Sequence, residues 1–142
     1  MITIKYKFLP HTADVKFQAF GKTLEKSFEN SALALKEEIV GGVKVKVKGK
    51  IKEKLNAHGK DFESLLYNFL EEILYMLEAG DFLFSKIKSI KIDKKKFRLN
   101  AVVLGDKASD YRFVNAVKAI TYNDMFVKKM KDKWVSQVVL DV

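Results

Sequence analysis

Two segments of the chain carry apolar residues at helical spacing, and the other apolar segments are short or alternate with polar residues. The first helical segment follows Thr23, a typical N-cap residue, and the glycines at 41 and 42 end it. The second opens near Asp61 and closes at Gly80. Two helices are too few for a doubly wound parallel sheet. The pattern therefore predicts an α+β fold, with a largely antiparallel β-sheet and two α-helices packed on one face.

Alternation of apolar and polar residues predicts the strands. The segments with this pattern are 2–8, 15–19 and 43–47, and further strands are predicted around 86–92, 97–104, 112–122 and 134–140, with turns at 93–96 and at Gly105–Asp106. No repeat, low-complexity tract or linker rich in Pro, Gly and Ser interrupts them. A chain of 142 residues has the usual size of one domain, so residues 1–142 are predicted to form a single domain.

Composition excludes several classes of site. The chain has no cysteine, which rules out disulfides, iron–sulfur clusters, thiolate zinc sites and a cysteine nucleophile. No stretch approaches the roughly 18 apolar residues of a membrane span, and no signal-peptide core is present, so we expect a cytoplasmic protein with no membrane partner. Nucleotide-binding glycine loops and metalloprotease or hydrolase motifs are missing. His11 and His58 have no obvious partner, so an enzyme is not expected.

Charge is sorted along the sequence. The formal net charge is +9 and comes almost entirely from lysine. Residues 43–60 and 86–98 each carry a net charge of +6, whereas residues 61–84 carry six acidic side chains and no basic one. The lysine excess permits a nucleic-acid or acidic partner without requiring one, because dedicated phosphate sites favour arginine. It also fits a heat-adapted cytosolic protein.

Two acidic segments lie near opposite ends of the sequence. Asp14 precedes a strand, where it is either a turn residue or an oxygen ligand for a hard cation. Asp141 and Val142 follow an apolar strand whose Val138 and Leu140 can be anchored in the core, so they form either a solvated acidic tail or a fixed pair. If the Asp14 loop lies beside them, three anionic groups converge, and a divalent cation would relieve their repulsion.

Two further features each have a structural and a functional interpretation. Lys118 lies in an apolar row with Ile120 and Tyr122, so its ammonium either reaches solvent along the sheet or faces a carboxylate or a partner's phosphate. The second helix has an acidic polar arc with Glu72 near its edge, which is either a solvated face or a docking surface for a basic partner. The other residues of that arc are Glu63, Tyr67, Glu71 and Glu78.

In this order, these segments resemble the archease family. The family's His-Thr-Ala-Asp motif matches residues 11–14, and its Gly-x-Thr/Ser-Leu-Glu-x-x-Phe helix opening matches residues 21–28. Its Leu-Leu…Leu-x-Glu-x-Leu-Tyr helix matches residues 65–75. Its Val-Lys-Ala-Val/Ile-Thr-Tyr run matches residues 117–122, and its Leu/Ile-Asp-Ile/Val ending matches residues 140–142. The resemblance covers essentially the whole chain, and the ordered set is more specific than any one motif.

The resemblance implies an accessory factor with no catalytic residues. Archeases activate the RtcB-type RNA ligase that joins tRNA exons: they promote its guanylylation, permit multiple turnover and broaden its use of nucleoside triphosphates. The resemblance also implies a divalent cation, calcium, held by Asp14, Asp141 and the main-chain oxygen or carboxylate of Val142. Together with the residue patterns, it makes Lys118 and Glu72 the expected contacts with the ligase, through which tRNA would be met indirectly.

Two other interpretations remain. One is a nucleic-acid-binding module that uses the lysine rows at 43–54 and 86–98, although these rows lack the interleaved aromatic residues of single-strand platforms. Lysines on exposed strands also guard sheet edges against aggregation. The other is a chaperone-like module for an RNA-modifying enzyme. The sequence does not determine the oligomeric state.

Overall fold

The computed structural model describes residues 4–41 and 51–142, which form two α-helices, seven β-strands and one short 3-10 turn. Their order alternates strands and helices only in the first half of the chain, and four strands follow the second helix. The elements are β1 (Tyr6–Leu9), β2 (Val15–Gly21), α1 (Leu24–Val40), β3 (Ile51–His58), α2 (Phe62–Gly80), β4 (Phe82–Asp93), β5 (Arg98–Lys107), the 3-10 turn (Ala108–Asp110), β6 (Ala119–Met130) and β7 (Lys133–Asp141).

The described strands form two antiparallel sheets. One has four strands in the order β1-β2-β7-β6, and the other has three in the order β3-β5-β4. Each helix contacts strands of both sheets: α1 lies against β2 and β4, and α2 lies against β6 and β3. The α+β class, the two helices and the antiparallel pairing are confirmed. The division into two sheets is a further finding, because alternation along a strand does not specify its pairing partner.

Both helices begin where the sequence predicts. The hydroxyl of Thr23 accepts a hydrogen bond of 3.0 Å from the backbone N–H of Lys26 at the start of α1. At α2, the Asp61 carboxylate accepts from the backbone N–H of Ser64, while the Ser64 hydroxyl accepts from that of Asp61, which is a capping box. The end of α2 lies one residue later than predicted, because Gly80 is the last helical residue. The residue that ends the helix in the left-handed conformation is Asp81, with a φ of 52°, and not the predicted glycine.

The core lies where the two helices meet the inner faces of both sheets. Phe28 on α1 and Phe69 on α2 are fully buried, and their rings stack with 5.9 Å between centroids. Phe17, also fully buried, extends this cluster into β2. The pair therefore joins the two helices directly, and burying such rings is the main source of stability at this contact.

The strands predicted at 15–19, 86–92 and 134–140 are confirmed within β2, β4 and β7, and the strand predicted at 97–104 is confirmed from Arg98 onward in β5. The turn at 93–96 is confirmed as well, and the Asp93 carboxylate accepts hydrogen bonds from the backbone N–H groups of the last two of those residues. The strand predicted at 43–47 lies outside the described residues. Strand β3 was not predicted, because within it only Leu55 and Ala57 are buried and the alternation is short.

Two predictions in the second half of the chain are wrong. The strand predicted at 112–122 begins only at Ala119, because the preceding segment crosses the end of α1, where the backbone N–H groups of Val114 and Asn115 donate to the carbonyl of Ile39. The turn predicted at Gly105–Asp106 is instead part of β5. A Cβ on Gly105 would collide with the carbonyl oxygen of Leu83, so close packing of β4, not a turn, requires glycine there.

The Tyr6–Glu37 contact, which joins β1 to α1, predicts a pH dependence of stability. The Tyr6 hydroxyl donates to the Glu37 carboxylate over 2.7 Å, and burial first, then this hydrogen bond, raises the pKa of Tyr6 from 10.0 to about 12. Because the folded protein favours the protonated phenol, the stabilisation is complete below pH 10 and is lost as the pH rises through about 12.

The measurement is the free energy of unfolding of the wild type and of Tyr6→Phe across this pH range. We expect the wild-type advantage to shrink between pH 10 and 12. The matched control is Tyr75→Phe, since Tyr75 is exposed on α2. A Tyr6→Phe difference that stays constant with pH would contradict the assignment.

Candidate metal centre and its surroundings

The two acidic segments from the ends of the sequence meet at one end of the four-stranded sheet. Strand β2 pairs with β7 so that Val15 lies opposite Leu140 and Phe17 opposite Val138. Extending this register by one residue places Asp14 opposite Asp141. Side chains of directly opposed residues on neighbouring antiparallel strands lie on the same face, with Cβ atoms about 4.5–5.5 Å apart. The fold therefore brings the Asp14 and Asp141 segments to the same sheet end, and the extended register predicts that their side chains share the face away from the helices.

The backbone before β2 turns sharply at Asp14. Ala13 has a φ of 69°, a left-handed conformation that costs a non-glycine residue roughly 1–2 kcal/mol, and the N–H of Asp14 donates to the carbonyl of Thr12 over 2.8 Å. The turn is thus closed by main-chain atoms. Within residues 4–41 and 51–142, the Asp14 carboxylate accepts no hydrogen bond. The strained turn at Ala13 therefore lies directly before Asp14, and the second acidic residue lies at the end of the neighbouring strand.

The end of β7 is fixed by its neighbours. Val138 and Leu140 are fully buried, as the apolar pattern of this strand predicts. The carbonyl of Asp141 accepts a 2.7 Å hydrogen bond from the N–H of Lys118, and Val142 packs partly buried against the core. Asp141 therefore has a defined position rather than the freedom of a solvated tail.

Lys118 and Glu72, which are predicted to contact the ligase, lie in different parts of the fold. Lys118 precedes β6 and joins the same sheet end through its backbone, and its side chain is exposed. Extending the β6–β7 register from Ala119, which pairs with Asp141, places Lys118 opposite Val142. Glu72 is exposed on α2 and does not belong to these strand ends. The structure thus brings Asp14, Asp141, Val142 and Lys118 to one sheet end, with Lys118 on the face of Val142 and not on that of Asp141.

A wide irregularity in β6 borders this site and was not visible in the sequence. The register with β7 shifts between Thr121 and Phe126, and Asp124 adopts a φ of 51°. The Asp124 carboxylate pairs with Lys16 over 3.3 Å, and its carbonyl accepts a 2.7 Å hydrogen bond from Gln137. No periodicity marks such an insertion. Because of this irregularity, Lys16 on β2, two residues after Asp14, pairs with the Asp124 carboxylate.

The donor set fits a hard divalent cation. Calcium and magnesium take carboxylate and carbonyl oxygens, which are the atoms that Asp14 and Asp141 present. Among the described residues, no group of three His, Cys, Asp or Glu side chains is arranged to hold a metal ion. A third protein ligand would therefore be a main-chain oxygen, for which Val142 is adjacent. Residues 4–41 and 51–142 contain no helix long and apolar enough to cross a membrane.

Comparison with known proteins identifies the family. Residues 6–142 match the Archease protein family (MTH1598/TM1083). The chain is 37% identical over 142 residues to Protein archease of Methanosarcina barkeri, covering 97% of this chain and 96% of that protein. It is 38% identical over 143 residues to Protein archease of Pyrococcus furiosus, covering 97% of this chain and 99% of that one.

A solved structure shows the same fold. The solution structure of Methanobacterium thermoautotrophicum protein 1598 superposes with a TM-score of 0.78 at 30% identity, covering 97% of this chain and 99% of that one. The described residues thus form a small two-helix α+β fold with two acidic segments at one sheet end. With the family match over nearly its whole length, the chain belongs to the archease family.

Proposed function

We propose that this protein is an accessory factor, not an enzyme, that activates an RtcB-type tRNA-splicing RNA ligase. Its proposed effects are to promote guanylylation of the ligase, to allow multiple turnover and to broaden the nucleoside triphosphates that the ligase uses. The observation that supports the proposal is the pairing of Val15 with Leu140, which brings the Asp14 and Asp141 segments to one sheet end of an archease-family chain. We further propose that the protein acts in the cytoplasm.

The proposed cation is calcium, held by Asp14, Asp141 and a main-chain or carboxylate oxygen of Val142. When bound, such an ion neutralises adjacent carboxylates and offers coordination positions to a partner's oxygen atoms. The protein's own contribution is rigidity. Buried Leu140 and the Lys118–Asp141 backbone hydrogen bond fix one ligand, and the left-handed turn at Ala13 fixes the other.

Lys118 and Glu72 are the proposed contacts with the ligase. The Lys118 side chain is exposed at the same sheet end, where it can meet a phosphate or carboxylate of the ligase–nucleotide complex. Helix α2 presents exposed Glu72 together with Tyr75, which is 65% exposed. Acidic residues steer association with a basic surface, and an exposed tyrosine supplies contact area. Activation requires that these contacts favour one state of the ligase over another.

The test is ligase turnover in the presence and absence of this protein. A purified RtcB-type ligase is incubated with radiolabelled GTP, and its guanylylation rate and the number of RNA ligations per enzyme are measured. We expect the protein to raise both, and an equal amount of heat-unfolded protein to raise neither. Unchanged guanylylation and turnover at saturating protein would refute the proposal. Improved ligase recovery without faster guanylylation would instead favour a chaperone-like role.

A further inference from the structure

The outer face of the three-stranded sheet carries rows of basic residues from all three strands. Strand β5 is central, and its buried positions Leu99, Ala101 and Val103 face the helices, so the alternating positions face outward. The registers join these outward positions into four cross-strand rows. They are Lys52–Leu104–Lys86, Lys54–Val102–Ser89, Asn56–Asn100–Lys91 and His58–Arg98–Asp93.

Most of the positive charge on this basic sheet face is not neutralised by carboxylates of the same face. Its five cationic side chains are balanced by one carboxylate, Asp93, which accepts hydrogen bonds from two backbone N–H groups of the following turn. Within the described ranges, the ion pairs are Lys16–Asp124 and Lys26–Glu29, both outside this face. All five cations are exposed. They are Lys52, Lys54, Lys86, Lys91 and Arg98.

Protection of a sheet edge does not account for the whole face. The edge of β4 that pairs with no described strand is covered by α1. There the N–H of Ile92 donates to the Glu25 carboxylate, and the Lys36 ammonium donates to the carbonyl of Ser85. Arg98 lies on the central strand, which has no free edge. Cations therefore occur where edge protection is not needed, and their shared feature is the face they line.

We propose that the basic sheet face binds the phosphate backbone of RNA. Alternate residues on a strand lie about 6.6–6.8 Å apart and neighbouring strands about 4.8 Å apart, which gives a rigid grid of cations. Asn56 and Asn100 add amide donors between the cationic rows, and phosphate and sugar contacts commonly use such donors. The binding is independent of base sequence, because the four rows of described residues contain no Phe, Tyr or Trp ring on which a base could stack.

The composition of the face favours RNA over an acidic protein or a membrane. Protein interfaces are enriched in aromatic residues and depleted in lysine at their centres, the reverse of this face. Membrane-surface binding uses apolar side chains that enter the bilayer. The apolar residues here, Val102 and Leu104, are half-buried in the sheet. The choice of RNA as the source of the phosphates rests on the proposed function, whereas recognition of phosphate rests on register and charge alone.

The test measures anisotropy of a fluorescein-labelled RNA stem-loop without any ligase. We compare wild type with the triple variant Lys52→Glu, Lys54→Glu, Lys91→Glu and with a control that changes Lys128, Lys129 and Lys133 to Glu. The control residues are exposed on β6 and β7, so net charge falls equally in both variants. If five phosphates are neutralised, binding should weaken roughly a hundredfold between about 50 and 200 mM salt.

We expect the sheet-face variant to lose at least about tenfold in affinity and the salt slope to fall by about 2, while the control changes less than about threefold. Circular dichroism verifies folding, and Lys→Gln at the same three positions replaces the variant if it unfolds. Equal losses in variant and control would overturn the proposal. So would binding of polyglutamate or of phosphatidylserine vesicles in preference to RNA.

This result is separable from the proposed function. The guanylylation assay contains no RNA, so the sheet-face variant should stimulate guanylylation as well as wild type does. Normal stimulation without RNA binding would refute only the present inference, and RNA binding without stimulation would refute only the activator role.

Discussion

Asp141→Asn is expected to abolish stimulation of the ligase and to weaken calcium binding by about one or more orders of magnitude. Asparagine keeps the size of the side chain but removes the charge that a hard cation needs, and the number of charged ligands strongly tunes affinity. The fold should persist, because Asp141 is only half-buried and its structural hydrogen bond uses the main-chain carbonyl. The expected result is therefore an intact protein without its activity.

Two measurements check this prediction. Calcium binding is followed by titration calorimetry, and guanylylation is followed with radiolabelled GTP. The matched control is Asp132→Asn, which removes the same charge at the opposite end of β7, in the turn after β6. Removal of calcium with a chelator should lower wild-type stimulation but leave Asp141→Asn unchanged. Stimulation by Asp141→Asn equal to that of wild type would show that the site assignment is wrong.

Phe69→Ala is expected to destabilise the protein by about 3–5 kcal/mol, a large part of the roughly 5–15 kcal/mol that stabilises a typical domain. The Phe69 ring is fully buried and stacks on Phe28, so its removal leaves a cavity between the two helices. Neither helix can close this gap easily, because α1 also packs on β2 and α2 on β3. Both calcium binding and ligase stimulation should decline with the folded fraction.

Urea unfolding measures the effect of Phe69→Ala through a lower midpoint with an unchanged slope. Tyr75→Ala serves as the control: it truncates an exposed aromatic residue of the same helix and should change stability by no more than about 0.5 kcal/mol. A loss below about 1 kcal/mol for Phe69→Ala would contradict the assignment of the Phe28–Phe69 contact as the link between the helices.

The sequence predicts local structure well wherever one residue's chemistry decides it. Thr23 and Asp61 cap the helices as predicted, because their side-chain oxygens satisfy N–H groups only a few residues away. The carboxylate at Asp93 orders its turn in the same way. By contrast, Phe113 and Val114 resemble strand residues but lie in an irregular segment held by the end of α1.

The same distinction between local sequence and tertiary structure applies to the candidate site. Its residue types could be recognised from the sequence and from the family resemblance, since Asp14 and Asp141 are acids next to strand ends. Their proximity could not, because residues separated by most of the chain meet only through the β2–β7 register. The insertion at Asp124, which gives Lys16 a partner, is likewise a property of strand pairing and has no periodic signal.

The sequence alone determined the helices, their caps, most strands and the family, because propensity, hydrophobic period and motif order are properties of neighbouring residues. Only the tertiary structure decided that the strands form two sheets, that two distant acids share one sheet end, and that basic residues of three strands line one face. The physical reason is that pairing register is set by packing across the whole molecule, and a shift of one residue would turn every side chain to the opposite face.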